Sequence, residues 1–186
     1  MTPERIITDA REYAIGAHAN VNQFYDGKPY SAHLAAVVGV AERYIDKYFS
    51  NRLGYSSIDR AEIIAACWLH DTIEDTRKTY NDIRGRFGEN VAEAVFAVTN
   101  EKGRTRKDRA NAKYYAGIKA SCRALFVKLC DRIANASHDI GGSMWKMYQK
   151  EHELFEVSLI NGDFFEMWDE LWAVLKIEEY IKTLSA

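Results

Sequence analysis

The stretch Ile63-Ile-Ala-Ala-Cys-Trp-Leu69 constrains this chain most, because its consecutive apolar residues leave no polar face. A helix of that kind is enclosed on most sides rather than laid on a surface. It runs directly into His70, Asp71, Glu74 and Asp75. Burying several carboxylates without pairing, hydrogen bonds or a metal ion costs many kcal/mol, so the fold must supply partners there. If 63–75 is one continuous helix, Glu74 stands four residues from His70 and three from Asp71, and Asp75 four from Asp71. That spacing places the group on one broad face. The bland alternative is a helix end fraying into solvent with hydrated carboxylates.

Around this segment the periodicity is helical nearly throughout, with no sustained strand alternation and no repeat. The pattern predicts eight or nine helices: about 3–19, 32–48, a start at Ser57 or Asp59 running through His70-Asp71, a short helix from Thr79 to Gly88, then 89–98, a basic helix 104–119, 122–138, and two closing helices, 143–160 and 165–184. A turn at Asp26-Gly-Lys-Pro29 separates the first two, and Gly141-Gly142 breaks the chain before the last two. With 186 residues, 47% of them hydrophobic and only 2 prolines, the expectation is an all-α bundle forming a single domain over residues 1–186.

Charge narrows the partners. The 25 basic and 27 acidic residues are interspersed and leave a net charge of −2, so no overall field draws the protein to nucleic acid or membrane. Cys67, Cys122 and Cys130 are scattered in apolar helical segments, which suits reduced core thiols and a cytoplasmic protein. The N-terminus has no apolar signal core, and no apolar run reaches the roughly 18 residues of a membrane span. The final helix, with Phe164, Phe165, Trp168, Leu171, Trp172, Val174 and Leu175, carries more apolar surface than one face needs. It is expected to complete the core or to form a homodimer.

A metal site needs ligands from more than one element. In Lys28-Pro-Tyr-Ser-Ala-His-Leu-Ala-Ala-Val37, His33 opens a helix whose following residues are nearly all apolar. In Leu125-Phe-Val-Lys-Leu-Cys-Asp-Arg-Ile-Ala-Asn135, Asp131 interrupts an apolar run and Asn135 lies one turn further along. Each has an ordinary reading: a hydrogen-bonded core histidine for His33, and a salt bridge from Lys128 for Asp131. Taken together, His33, His70, Asp71 and Asp131 make a mixed nitrogen and oxygen set suited to a divalent transition ion, with room left for water and substrate.

The order His…His-Asp…Asp resembles the HD-domain metal-dependent phosphohydrolases. More narrowly, Gly27-Lys-Pro-Tyr-Ser-Ala-His33, Trp68-Leu-His-Asp-Thr-Ile-Glu-Asp-Thr76, Asp82-Ile-Arg-Gly-Arg-Phe-Gly88, Val98-Thr99 and Val127-Lys-Leu-Cys-Asp-Arg-Ile-Ala-Asn135 are similar to the hydrolase domain of the RelA/SpoT proteins and of their free-standing relatives, the small alarmone hydrolases, including the metazoan SpoT homologs. This resemblance implies an all-helical fold around a central metal site, one Mn²⁺, and removal of the 3′-pyrophosphate from guanosine tetra- or pentaphosphate. It implies His33, His70, Asp71 and Asp131 as metal ligands. Glu74 and Asp75 match the acidic pair that handles the attacking water, and the order of the two roles stays open. For substrate it implies Asn135 and Tyr148 as nucleotide contacts.

A basic stretch, Arg104-Thr-Arg-Lys-Asp-Arg-Ala-Asn-Ala-Lys113, offers Lys107 and its neighbours to a pyrophosphate arm, or is simply a solvated face. One departure from the family concerns the base: a basic pair usual before the Gly-x-Pro-Tyr turn is replaced by Gln23-Phe24-Tyr25. Phe24 and Tyr25 can stack on a purine but carry no guanidinium, so a relaxed or adenosine-type base preference is expected. The alternatives are an HD phosphohydrolase acting on another nucleotide, such as a deoxynucleotide or a phosphorylated dinucleotide cofactor, or a metal-bound but catalytically silent nucleotide sensor.

Overall fold

Residues 1–50 and 53–176 are described by the structure, a computed structural model. Among them the chain forms α1 (Pro3–Ala19), β1 (Phe24–Tyr25), β2 (Lys28–Pro29), α2 (Ser31–Tyr48), α3 (Ser57–Leu69), α4 (Thr72–Asp75), α5 (Tyr80–Phe87), α6 (Glu89–Val98), α7 (Arg106–Arg109), α8 (Ala112–Lys119), α9 (Cys122–His138), α10 (Ser143–Leu159) and α11 (Phe165–Leu175). None of these helices is long and apolar enough to cross a membrane.

Two of the expected helices are broken, each for a local reason. The continuous helix 63–75 stops at Leu69 and restarts at Thr72, with Asp71 near φ −96°, ψ −1°. Adjacent residues of a regular helix point about 100° apart, so a break lets His70 and Asp71 face one point. The basic helix 104–119 divides at Ala110–Asn111 because the Asn111 side chain accepts the Tyr114 N–H at 3.1 Å and starts α8 afresh. Between α1 and α2 the expected turn is a two-residue hairpin, Tyr25 facing Lys28, with Asp26 and Gly27 both at positive φ, the geometry an Asp-Gly pair favours. Part of the closing helix expected at 165–184 lies outside the described residues.

The element starts follow from capping. Ser56 with Asp59, Thr79 with Asp82 and Thr105 with Asp108 each form a reciprocal capping box, worth about 1 kcal/mol per cap. Packing centres on α3 and α9. Helices α1, α2 and α6 lie against α3, while α2, α6, α8, α10 and α11 lie against α9. From Ala124 to Ala136 every residue of α9 except Lys128 is buried. Met167, Trp168, Leu171 and Leu175 of α11 are buried as well, so this helix completes the core. Cys67 and Cys130 are buried free thiols, but Cys122, at the first turn of α9, is exposed.

Candidate active site

Helices α2, α3 and α9, packed on one another, bring the ionisable residues of the core to one point. His33 Nε2, from the first turn of α2, lies 3.3 Å from His70 Nε2 and 3.6 Å from Asp71 Oδ2. His70 Nε2 and Asp71 Oδ2 are 2.9 Å apart. Asp131 Oδ1 enters from α9, 3.4 Å and 3.6 Å from the two imidazole nitrogens. Atoms bound at about 2.0–2.2 Å around one ion stand roughly 3.0–3.5 Å from one another, so these separations fit a shared cation. His33, His70 and Asp71 each offer a ligand atom close enough to the others to hold one metal ion.

The surroundings fix each ligand's direction. His70 Nδ1–H donates to the Cys67 carbonyl at 2.9 Å, which leaves the Nε2 lone pair for the ion. Tyr30 donates its hydroxyl to Asp71 Oδ2, and Tyr25 stacks on the His33 ring with centroids 4.8 Å apart. Asp131 divides its oxygens: Oδ2 takes Lys128 Nζ at 2.9 Å, while Oδ1 faces the histidines and accepts from Asn135 Nδ2 at 2.5 Å. The salt bridge and the inward-facing carboxylate therefore coexist.

Burial alone would disfavour every charge here. It is outweighed: Asp71 and Asp131 raise His70 well above its ordinary pKa and also raise His33. In return His70 and His33 depress Asp71, and Lys128 with the two histidines depresses Asp131. The opposite shifts are the two sides of the same pairing: each carboxylate holds its histidines, and each cation holds its carboxylate ionised.

Glu74 and Asp75 stand beside this centre on α4. Both Glu74 oxygens are held by Asn100, Oε2 by the backbone N–H at 3.0 Å and Oε1 by Nδ2 at 2.9 Å. Asp75 Oδ2 accepts from Gln23 Nε2 at 2.8 Å. Burial, then the charge of Asp71, pushes the Asp75 pKa up.

These groups form one wall of a cleft of about 300 Å³. The opposite wall is basic and aromatic. Arg106 and Arg132 both pair with Glu151, at 2.6 Å and 3.2 Å, and the Arg132 guanidinium lies 4.1 Å over the Tyr148 ring. Asn135 and Tyr148 line this cleft, as does Tyr25, whose hydroxyl donates to Asn135 Oδ1 at 2.9 Å; burial pushes the Tyr25 pKa up to about 12. Phe24 and Lys107 are not brought to it. Phe24 alternates with Tyr25 on β1 and is 64% exposed, and on α7 it is Arg106 and Arg109, not Lys107, that line the cleft. Sequence reasoning missed Asn100, Arg132 and Glu151. An arginine inside the apolar run 125–136 was a readable signal for Arg132, and Asn100 directly follows Val98-Thr99; Glu151 had none.

A family model described as HD domain matches residues 10–140. The guanosine-3′,5′-bis(diphosphate) 3′-pyrophosphohydrolase MESH1 of Danio rerio is 30% identical over 131 residues, covering 70% of this chain and 67% of that protein. MESH1 of Drosophila melanogaster is 34% identical over 73 residues, 39% of this chain and 41% of the relative, so that match spans less than half of its length. A solved structure described as "A metazoan ortholog of SpoT hydrolyzes ppGpp and plays a role in starvation responses" superposes with a TM-score of 0.69 at 21% identity, covering 93% of this chain and 95% of the other. That likeness establishes the fold.

Proposed function

The chain belongs to the HD-domain family, and on that premise we propose that it is a Mn²⁺-dependent hydrolase removing the 3′-pyrophosphate from guanosine tetra- or pentaphosphate. The observation that carries this reading is one cleft lined by both kinds of group: His33 and Asp71 with the adjacent acids Glu74 and Asp75, and the guanidinium groups of Arg106 and Arg132. A polyanionic nucleotide fits between them. The MESH1 relatives, which are guanosine-3′,5′-bis(diphosphate) 3′-pyrophosphohydrolases, support it.

In this reading Asp131 completes the ligand set through Oδ1, and the mixed imidazole and carboxylate donors suit Mn²⁺. When bound, the ion supplies Lewis acidity for water activation and for polarising the phosphoryl group. The protein's own residues do the rest. Glu74, fixed at both oxygens by Asn100, is a rigid acceptor that aims the attacking water. Asp75, whose pKa is raised by partial desolvation in the cleft and by the Asp71 charge, takes the water proton and returns it to the leaving ribose 3′ oxygen. The water oxygen forms the new P–O bond as the bond to the 3′ oxygen breaks, so the products are a free 3′ hydroxyl and pyrophosphate. Arg106 and Arg132 exchange Glu151 for phosphate oxygens, and Asn135 and Tyr148 contact the nucleoside.

Pyrophosphate release from guanosine tetraphosphate by Mn²⁺-reconstituted protein tests the proposal. The expected result is turnover that disappears on metal removal and returns with Mn²⁺. An adenosine 3′-pyrophosphate assayed alongside reads the base preference that Gln23-Phe24-Tyr25 leaves to this chain. Metal-loaded protein that leaves both nucleotides intact sinks the reading.

A further inference from the structure

Gln23, at the end of the turn that follows α1, is bonded on both sides of its amide. Its Nε2 donates to Asp75 Oδ2 at 2.8 Å, and its Oε1 lies 2.5 Å from His18 Nδ1. A carboxylate only accepts, so the NH₂ group faces Asp75 and the amide oxygen faces His18; Nδ1 must then carry the imidazole proton. His18 is 1% exposed, its Nε2 is buried with no hydrogen-bond partner, and burial lowers its pKa. All three suit a neutral ring with a single N–H, at Nδ1.

The anchor is built into the fold. The His18 ring stacks on Tyr30 at 4.5 Å, 23° from parallel, and Tyr30 reaches Asp71 with its hydroxyl. Gln23 is also tied through its backbone, its N–H donating to the His18 carbonyl and its carbonyl accepting from the Tyr30 N–H. The end of α1, the hairpin and the start of α2 thus converge on one amide.

The geometry points to Gln23, anchored by buried His18, as a positioning residue that holds Asp75 in its reactive orientation through a neutral hydrogen bond. This rests on the reading of Asp75 as the proton carrier. One oxygen of Asp75 is committed to the amide, which leaves the other for the reaction. A neutral donor fixes the direction without adding a cation to the acidic wall. The function of His18 in this arrangement is then indirect, exercised through Gln23.

Steady-state kinetics on Mn²⁺-loaded Gln23→Ala, Gln23→Glu, His18→Phe and the Gln23→Ala/His18→Phe double variant test it, with metal content measured on each. Loss of one positioning hydrogen bond is expected to lower kcat roughly tenfold in Gln23→Ala, with KM and metal content unchanged. Isosteric Gln23→Glu should lose more than Gln23→Ala, because two carboxylates would face each other. In the Gln23→Ala background His18→Phe should add nothing, the signature of residues acting as a unit. Unchanged kcat, a change confined to KM, or additive losses overturn the proposal. Nitrogen-15 spectra of the His18 ring provide an arm independent of turnover. If the wild type hydrolyses no nucleotide, the hydrolase reading fails; a His18 Nδ1–H signal shifted by both Gln23→Ala and Asp75→Asn still sustains the linkage, and one that ignores them overturns it.

Discussion

The two walls of the cleft are built differently. The wall with His33, His70, Asp71 and Asp131 hangs on the inward face of α2, the end of α3 and α9, of which α3 and α9 are buried along most of their length. The basic wall is mixed: Arg132 comes from buried α9, whereas Arg106 and Arg109 hang on α7, four residues long with none buried, and Glu151 ties Arg106 to Arg132. The four candidate metal ligands thus rest on core helices, whereas Arg106 and Arg109, two of the cations proposed to take the polyanion, rest on a short exposed turn. The first wall should therefore fail by losing metal or rate, and the second by losing affinity.

The largest effect is expected from Asp71→Ala. It removes an oxygen within 2.9 Å of His70 and 3.6 Å of His33, so metal content and pyrophosphate release should both fall to background. A variant that keeps its metal would break the assignment of Asp71. Glu74→Gln comes next: shape and the bond from the Asn100 backbone can persist while the acceptor is weakened, so kcat should drop about 10²–10⁴-fold with metal content intact.

On the opposite wall, Arg106→Ala should raise KM roughly tenfold or more at nearly constant kcat, the loss of a hydrogen bond between charged groups, and the effect should shrink as salt rises. Glu151→Gln should move KM the other way, since both guanidinia are released to the substrate. The same change should destabilise the protein, because Arg132 is 4% exposed and loses its ion partner. Thermal melting beside steady-state kinetics reads the two signs together.

This contrast also decides what was legible in the sequence. His70 and Asp71 stood out because charge after the apolar run Ile63–Leu69 has few bland explanations, and the same logic exposed His33 and Asp131. The break at His70–Asp71 was not legible, since a regular helix and a helix with one turned residue share the same apolar pattern. On the other wall the basic stretch was visible, but which of its cations enters the cleft depends on where Asn111 interrupts the helix. Lys107 was the expectation and Arg106 the outcome. Glu151, an acid on a polar helix, carries no local sign that it will bridge two arginines. Phe24 and Tyr25 looked equivalent until strand alternation at the hairpin separated them.

Matched cap removals compare the walls with the smallest perturbation. Ser56 and Thr105 each begin a helix with the same reciprocal box, closed by Asp59 and Asp108. Alanine at either position removes a side-chain acceptor worth about 1 kcal/mol to its helix. Helix α3 is buried along most of its length from Ala61 to Leu69, so Ser56→Ala should appear as a small fall in global stability while His70 stays in place and both kcat and KM hold. Helix α7 buries nothing, so it depends on the Thr105 box, on the Arg106–Glu151 pair and on the hydrogen bonds that Asn111 Nδ2 and the Glu101 N–H donate to its last two carbonyls. Thr105→Ala should leave the melting temperature nearly unchanged yet raise KM a few-fold, because freeing α7 disperses Arg106 and Arg109 before substrate arrives. If Thr105→Ala instead lowers stability with KM unchanged, α7 is held by the core after all, and the division of labour between the two walls fails.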